Sequence, residues 1–453
     1  MKSPKIFLAV IGAIILVAGC ASVQTNQEWG QLKGDVLKRT GREILWEQSS
    51  KEEEIIRQEV AKLLQDTLTR EEALRIALIN NRDLQANFEE IGMSKADLVQ
   101  AGLFRNPSIS AFFRFPFHGS GTNVEIDGGL FPISDLWQIP FRKKTAAAHL
   151  ERTMKNVEQT VLATIRETSK AYDGVYYSRR TLREMEDLFV KFQEIRDEVI
   201  KRRNFGFLKD LDVYQSEVLV AETEIALQRV KMELDLDRSH LHRLLGLDPG
   251  NTHYEISEEQ EYPDPSVPDI DRAVAWASDN RLDLQMARLK VREAEHKLEL
   301  ERVMVFKEVE IGASFEREPD GGERFGPGIG IQIPIYDQNQ AQIAKAEFKV
   351  RRARKQLESL QERVREEIEH DLERIRFQQS AIQLIEHRIL PLRQNALAYA
   401  DKWVGAMQLN QLYLLEAQRG MLQSRLDHTR AVLTLCNALT DLEYHMGGKL
   451  PPH

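Results

Sequence analysis

The sequence predicts a mainly α chain with a small β part, in which one unit of strands and very long helices occurs twice. Three observations predict it. The stretch GIGIQIPIYDQNQAQIAKAEFKVRRARKQL (328–357) passes from a strand-like to a helix-like period with only Pro334 at the changeover. The wording LFPISDL at 130–136 has a counterpart, QIPIYDQ, at 332–338, and a long charged helical pattern follows each. Charged residues make up 29% of the chain and aromatics only 7%, which suits coiled-coil helices better than a compact mixed domain.

Each strand follows from alternation. Ile329, Ile331, Ile333 and Ile335 occupy every second position, with small or polar residues between them. Val309, Ile311, Ala313 and Phe315 alternate before them, and Ile109, Ala111, Phe113 and Phe115 do so in the first half. Val124, Ile126, Gly128 and Leu130 lie opposite Glu125 and Asp127, a pattern that fits a wall between lipid and water or a half-buried soluble sheet. The Gly-rich segments HGSGTN (118–123) and EPDGGERFG (318–326) read as the hairpin loops. Pro132 and Pro334 mark the two strand-to-helix junctions, since proline cannot donate to a ladder.

The helices follow from the other period. Ile343, Ala346, Val350, Ala353, Leu357, Leu360, Val364, Ile368, Leu372 and Ile375 recur at steps of three and four, one stripe close to a heptad seam. Arg142 to Asn204 contains no proline, and Gln340 to Val404 only Pro391. Each run would span about 90–100 Å as a helix, and such helices cover their stripes only against similar helices. Gly206 pairs with Gly405, Tyr214 with Tyr413 and Glu217 with Glu416, all about 200 residues apart, as NNRDLQ (80–85) does with DNRLDLQ (279–285). Gly206 and Gly405 therefore read as the turns at the far ends of the helices, with the two tyrosines as packing anchors beside them.

The divisions follow. Residues 1–19, two lysines and then an apolar run, are a signal peptide. Residues 20–67 form an N-terminal tether with a short helix outside the repeat; 68–246 are the first repeat and 269–446 the second. The proline- and acid-rich segment 247–268 links them, and 447–453 is a loose tail. The ending LVAGC resembles a bacterial lipobox, which makes Cys20 the lipidated first residue of the mature chain. Ala21 after it favours the outer membrane.

Composition also excludes. The formal net charge is −9, and loss of Lys2 and Lys5 with the leader makes it more negative, which argues against nucleic acid. No later apolar run reaches transmembrane-helix length, so a membrane-spanning part must be a barrel. Gly326, Gly328 and Gly330 sit in a strand rather than a phosphate loop, and the histidines lack metal-ligand spacing. No enzyme, cofactor or metal is expected. Arg142, Lys143 and Lys144 after the first strand pair read either as neighbours of anionic headgroups or as solvated charges.

Three stretches together resemble the TolC family of outer-membrane efflux proteins. They are LTREEALRIALINNRDLQANFEEIGMSKADLVQAGLFRNPSIS (68–110), GIGIQIPIYDQNQAQIAKAEFKVRRARKQL and VGAMQLNQLYLLEAQRGMLQSRL (404–426), and the likeness covers about 68–446. The resemblance implies a homotrimer in outer-membrane lipid, whose strands form one barrel of about twelve and whose helices continue it as a periplasmic tunnel. It implies a passive exit duct, energised by an inner-membrane efflux transporter and joined to it by a periplasmic adaptor at the tips around Gly206 and Gly405. Family members carry acids past the second tip that line the aperture. Here Gln411 stands at that place, and Asp210 and Asp212 of the first repeat are the candidates, unless they are merely acids at a helix start. Parts of the sequence look similar to members associated with heavy-metal efflux, which makes metals one expected cargo, with drugs and secreted peptides equally open. A periplasmic adaptor, or a structural coiled-coil lipoprotein without a channel, is the alternative.

Overall fold

A computed structural model describes residues 22–115, 122–248, 254–258, 267–318, 320–406 and 410–448. The expected signal peptide, Cys20, most of the expected first hairpin loop and most of the expected linker lie outside the described residues. In chain order the elements are α1 (Asn26–Thr40), α2 (Ser50–Leu63), α3 (Arg70–Asn80), α4 (Arg82–Ala101), β1 (Ser108–Arg114), β2 (Asn123–Pro132), α5 (Asp135–Asn204) and α6 (Asp210–Leu245). The second half repeats the order with α7 (Ile270–Asn280), α8 (Leu282–Val303), β3 (Val309–Arg317), β4 (Glu323–Ile331), α9 (Gln340–Leu384), a π-helical turn (Ile385–Ile389), α10 (Leu390–Gly405) and α11 (Gln411–His445). The chain divides into two compact units, one of residues 1–32, 89–157 and 283–359, the other of 33–88, 158–282 and 360–453.

The first unit holds an antiparallel sheet in the order β1-β2-β3-β4. Register sorts its side chains, because directly paired residues share a face. Ala111, Ile126, Phe315 and Phe325 form one row across all four strands, and the neighbouring row reads Phe112, Glu125, Glu316 and Arg324. One face is therefore mainly apolar and the other mainly charged, polar or glycine. The expected alternation in β2 stops short of Leu130: a bulge after Gly128 transfers the apolar position to Phe131, which pairs with Ile311. The apolar face is exposed within the chain, with Ile109, Phe113, Phe325 and Ile329 all more than half accessible. The helices of this unit carry narrow stripes, with Leu150, Met154, Leu289, Val350 and Ala353 buried. Charges flank them: Arg152 donates to Glu293 at 2.9 Å and Lys290 to Gln356 at 3.0 Å.

The second unit shows the duplication most directly. Each repeat opens with a short helix that breaks after one residue, at Asn81 (φ −64°, ψ 121°) and at Arg281 (φ −63°, ψ 125°). Opposite each break stands a left-handed glycine: Gly246 (φ 66°) after α6 and Gly447 (φ 81°) after α11. A Cβ on Gly246 would stand 2.1 Å from the Asn80 carbonyl oxygen, and one on Gly447 2.6 Å from that of Asn280. The polar fastening differs. Asn80 and Asn81 donate to the carbonyls of Leu245 and Leu244 at 2.8 and 2.7 Å. At the second break Arg39, from α1, donates to the carbonyls of Asn280 and Gly447 and to Glu158 at 2.9, 2.5 and 2.8 Å.

The N-terminal segment is thus more than a tether. It forms two helices, and Val36, Ile44 and Trp46 are buried. Ile56 and Val60 enter one core with Ala73, Ile76, Tyr172, Leu241 and Leu245. Within the same unit Cys436 is buried, its Sγ 3.9 Å from Tyr177 Oη, and burial followed by the nearby Asp173 carboxylate pushes its thiol up to about 11. The run from Gln340 is also interrupted. Pro391 lacks an N–H and its ring collides with the carbonyl four residues earlier. The chain answers with the wide turn at 385–389, in which the Leu390 N–H reaches Ile385 O.

Two predictions follow from this packing. Gly246→Ala and Gly447→Ala each combine a left-handed backbone with a collision, so each should lower unfolding free energy by more than about 2 kcal/mol. Gly206→Ala, at φ 84° with open space around it, should cost only about 1 kcal/mol; denaturant titration followed by circular dichroism compares the three. At pH 8 Cys436 should resist maleimide in the native protein and label fully after unfolding, with peptide mass identifying the site; rapid native labelling would contradict its burial.

Candidate functional site

Two places in the fold gather the residues singled out from sequence. In the first unit they are the passages from sheet to helix. Pro132 is the last residue of β2, and only Ile133 and Ser134 separate it from α5. The Ser134 N–H still donates to Val309 O at 3.2 Å. Asp135, fully buried, begins the helix and collects the Arg105 N–H at 2.7 Å, Arg105 Nε at 3.1 Å and Arg142 Nη2 at 3.1 Å. Arg105 also donates to Ser134 Oγ at 2.8 Å. A buried carboxylate is tolerated only with such partners, and here they come from the chain entering β1 and from the helix leaving β2.

The second passage is built otherwise. β4 ends at Ile331, so Ile333 and Ile335 lie beyond the strand, and Pro334 sits in an irregular stretch that reaches Gln340. A turn is present here, although the sequence period suggested none. Asp337 Oδ1 accepts the Asn339 N–H at 2.9 Å, and Asn339 is left-handed at φ 60°. Asn339 Nδ2 then donates to the carbonyl and carboxylate of Glu301 at 2.7 and 2.9 Å. The Lys307 ammonium, 2.7 Å from Asp337, together with the Asn339 N–H, holds the Asp337 carboxyl below the usual range. The pair Asp337 and Asn339 is the signal that could have disclosed this turn, because both side chains bond their own backbone readily.

The second place is the ends of the long helices in the second unit. Gly206 makes the left-handed turn expected of it, between exposed Phe205 and Phe207, and its N–H bonds Arg203 O at 2.9 Å. Gly405 does not: it is the last residue of α10, and residues 407–409 beyond it lie outside the described residues. Asp210 and Asp212 both lie in the first turn of α6. Asp210 pairs with Arg203 at 2.6 Å. Asp212 accepts the Lys209 N–H at 2.9 Å through one oxygen and Asn410 Nδ2 at 3.2 Å through the other. Gln411 is buried, with only 6% of its surface accessible, although it was a candidate lining residue.

Asn410, which sequence reading passed over, makes a polar link between the two repeats here. Its Oδ1 caps α11 by accepting the Leu412 N–H at 3.2 Å while its amide reaches Asp212. An Asn directly before an apolar helical run was the available signal. Beneath this link Phe192, Val199, Val220, Val404, Leu414 and Leu415 share one apolar cluster. Beside it lies a groove of about 710 Å³ bordered by Tyr214, Val218, Leu412, Tyr413, Glu416 and Arg419. Tyr214 and Tyr413 are each 62% exposed along it, so they line a surface rather than anchor a core.

Among the described residues no helix is long and apolar enough to cross a membrane, and no group of three or more His, Cys, Asp or Glu side chains could hold a metal ion. Asn410→Ala should remove both the cap and the link, costing about 1–2 kcal/mol. Asn410→Ser keeps a capping oxygen and should recover most of that loss, while hydrogen exchange at 411–415 reports whether the Asp212 link matters separately.

Residues 275–448 match the family model described as outer membrane efflux protein. No curated protein matches the chain. Among solved structures it is similar to the CmeC outer membrane channel of Campylobacter jejuni, at 16% identity and a TM-score of 0.70, over 84% of this chain and 85% of that one. It is similar to CusC, whose structures concern folding and transmembrane channel formation, at 17% identity and a TM-score of 0.69, over 84% and 92% of the two chains. It is similar to the outer membrane protein VceC of Vibrio cholerae at 14% identity and a TM-score of 0.66, over 87% and 96%. Residues 275–448 are thus similar to the outer membrane efflux proteins, and the chain as a whole shares the fold of these outer membrane channels.

Proposed function

We propose that this protein is the outer-membrane exit duct of a tripartite efflux pump, working as a homotrimer whose twelve strands close one barrel. The observation that carries the reading is apolar surface that one chain leaves uncovered at helical spacing. On α6, Leu211, Tyr214, Val218, Ile225, Met232 and Leu236 are each more than half exposed and follow near-heptad steps. On α9 and α10, Phe377, Leu384, Leu392 and Tyr399 are half exposed or more and follow similar steps. Two unlike stripes on one chain suit a head-to-tail contact between copies, which closes as a ring.

The sheet makes the same demand. β1 and β4 are both edges in the single chain, and unpaired edge groups cannot stand in hydrocarbon. A ring of copies pairs each β4 with the next β1, leaves the apolar rows towards lipid and turns Glu125, Glu316 and Arg324 towards a watery lumen. We assign the groove beside Tyr214 and Tyr413 to a periplasmic adaptor, which connects the duct to an inner-membrane transporter, and Cys20 to lipid attachment. The duplicated strand pairs favour this over an adaptor or a structural lipoprotein, neither of which needs four strands with a watery and an oily face. Heavy-metal ions and drugs are the cargoes to test first.

The detergent-corrected mass of the mature protein from outer membranes should equal three chains. Val218→Glu with Ile225→Glu should shift most of it to single chains, since each buries a charge in the contact. A wild-type monomer would overturn the duct.

A further inference from the structure

We propose that the first strand-to-helix passage carries a binding site for the phosphate headgroup of an anionic phospholipid, with Arg142, Lys143 and Lys144 supplying the charge. The proposal rests on the outer-membrane reading above and adds a lipid ligand to it. Surface order is the argument. The apolar face of the sheet ends in Phe131, whose ring lies 6.5 Å from that of Phe104. Phe104 is half exposed and Leu103 beside it nearly so. The next layer is cationic. Arg142 Nη2 donates to Leu103 O at 3.4 Å, and the stem of Lys143 crosses Gly102, where a Cβ would stand 3.4 Å from its Cδ. The Lys144 ammonium lies 5.5 Å from the centroid of the Phe141 ring. Aliphatic, aromatic and then basic groups succeed one another along one side, as they do across the boundary between hydrocarbon and headgroups.

Charge accounting supports a ligand rather than an internal ion pair. Asp135 is the carboxylate of this passage, and it is buried and already shared by Arg105 and Arg142. Among the described residues no carboxylate pairs with Lys143 or Lys144, and both are exposed. The other passage offers no equivalent. Its Lys307 is engaged by Asp337, its exposed side chains include Ile333, Ile335 and Tyr336, and Lys345 stands alone at the matching helix position between Ala344 and Ala346. The structure therefore assigns one such site to each chain.

Trp137, half-buried about two turns before Lys143 and Lys144 on α5, provides the test. The full-length mature protein is reconstituted in phosphatidylcholine vesicles holding a minority of brominated phosphatidylglycerol, or of brominated phosphatidylcholine, and tryptophan quenching is compared. Each cation near an anionic surface changes partitioning by about fivefold. Brominated phosphatidylglycerol should therefore quench at a roughly fivefold or greater lower mole fraction, and more salt should narrow the gap. Trp137→Phe should remove the lipid-specific difference. Lys143→Gln with Lys144→Gln, which touches no internal ion pair, should remove most of it without altering trimer mass. Equal quenching by the two lipids in the wild type would overturn the site while leaving the duct intact. Loss of the preference to inorganic phosphate at matched ionic strength would also overturn it, by showing a site for free anions. Absence of quenching by either lipid would overturn the site and the membrane reading together.

Discussion

The ion cluster at Asp135 is the interaction on which the strand-to-helix architecture turns. A strand satisfies its backbone sideways and a helix along its own axis, so a chain that passes directly between them leaves the first helical N–H groups and the last strand groups without regular partners. Asp135 places a carboxylate at that point, where the helix dipole favours it, and binds it to Arg105 before β1 and Arg142 within α5. The start of one strand, the end of its neighbour and the first turns of the helix are thereby held as one body. Removing a partner from a buried charge of this kind costs about 3–5 kcal/mol, more than any single apolar contact nearby could restore.

The two repeats solve equal problems with unlike residues. Both passages need a bridge from strand to helix; one uses two residues and a shared carboxylate, the other an irregular stretch stopped by left-handed Asn339. Both helix breaks need a partner for exposed carbonyls; one uses the amides of Asn80 and Asn81, the other the guanidinium of Arg39. The N-terminal helix thus occupies in the second repeat a place that the first repeat fills from within. A duplicated fold needs only that each backbone group finds a partner, and it does not record which side chain provides it.

Much of this was legible in the sequence because it depends on period. Alternation gave the strands, and the register confirms that Ile126, Phe315 and Phe325 share a face. The bulge after Gly128 was hidden, since one extra residue leaves composition unchanged. The stripe from Ile343 to Ile375 gave the long helix, but the wide turn before Pro391 depends on three-dimensional relief of a clash. Gly206 and Gly405 looked equivalent in spacing, yet only one has the left-handed backbone that glycine permits. At the helix ends the sequence displayed the acids, and the structure shows Asp212 engaged by Lys209 and Asn410. Long-range partners of that kind cannot be read from local pattern.

The wide turn at 385–389 has a consequence for how this helix can change length. Exposed apolar residues lie seven apart from Phe377 to Leu384, eight apart to Leu392 and seven apart again to Tyr399. The extra residue is absorbed by the π turn, so the stripe stays on one side of the rod. Each residue advances an α-helix by about 100°, and a strict heptad drifts by about 20° per repeat. Deleting one residue between Leu384 and Leu392 would restore a uniform α-helix with a spacing of seven and leave everything beyond it in phase, whereas a deletion elsewhere along the helix would rotate the part beyond it by about 100° if the turn stayed as it is. In that second case Arg393, now lying over Gly420, would swing away with the helix end. The segment is therefore a phase register: a single-residue insertion or deletion anywhere along the long helix is tolerable only if this turn can take up or release the difference.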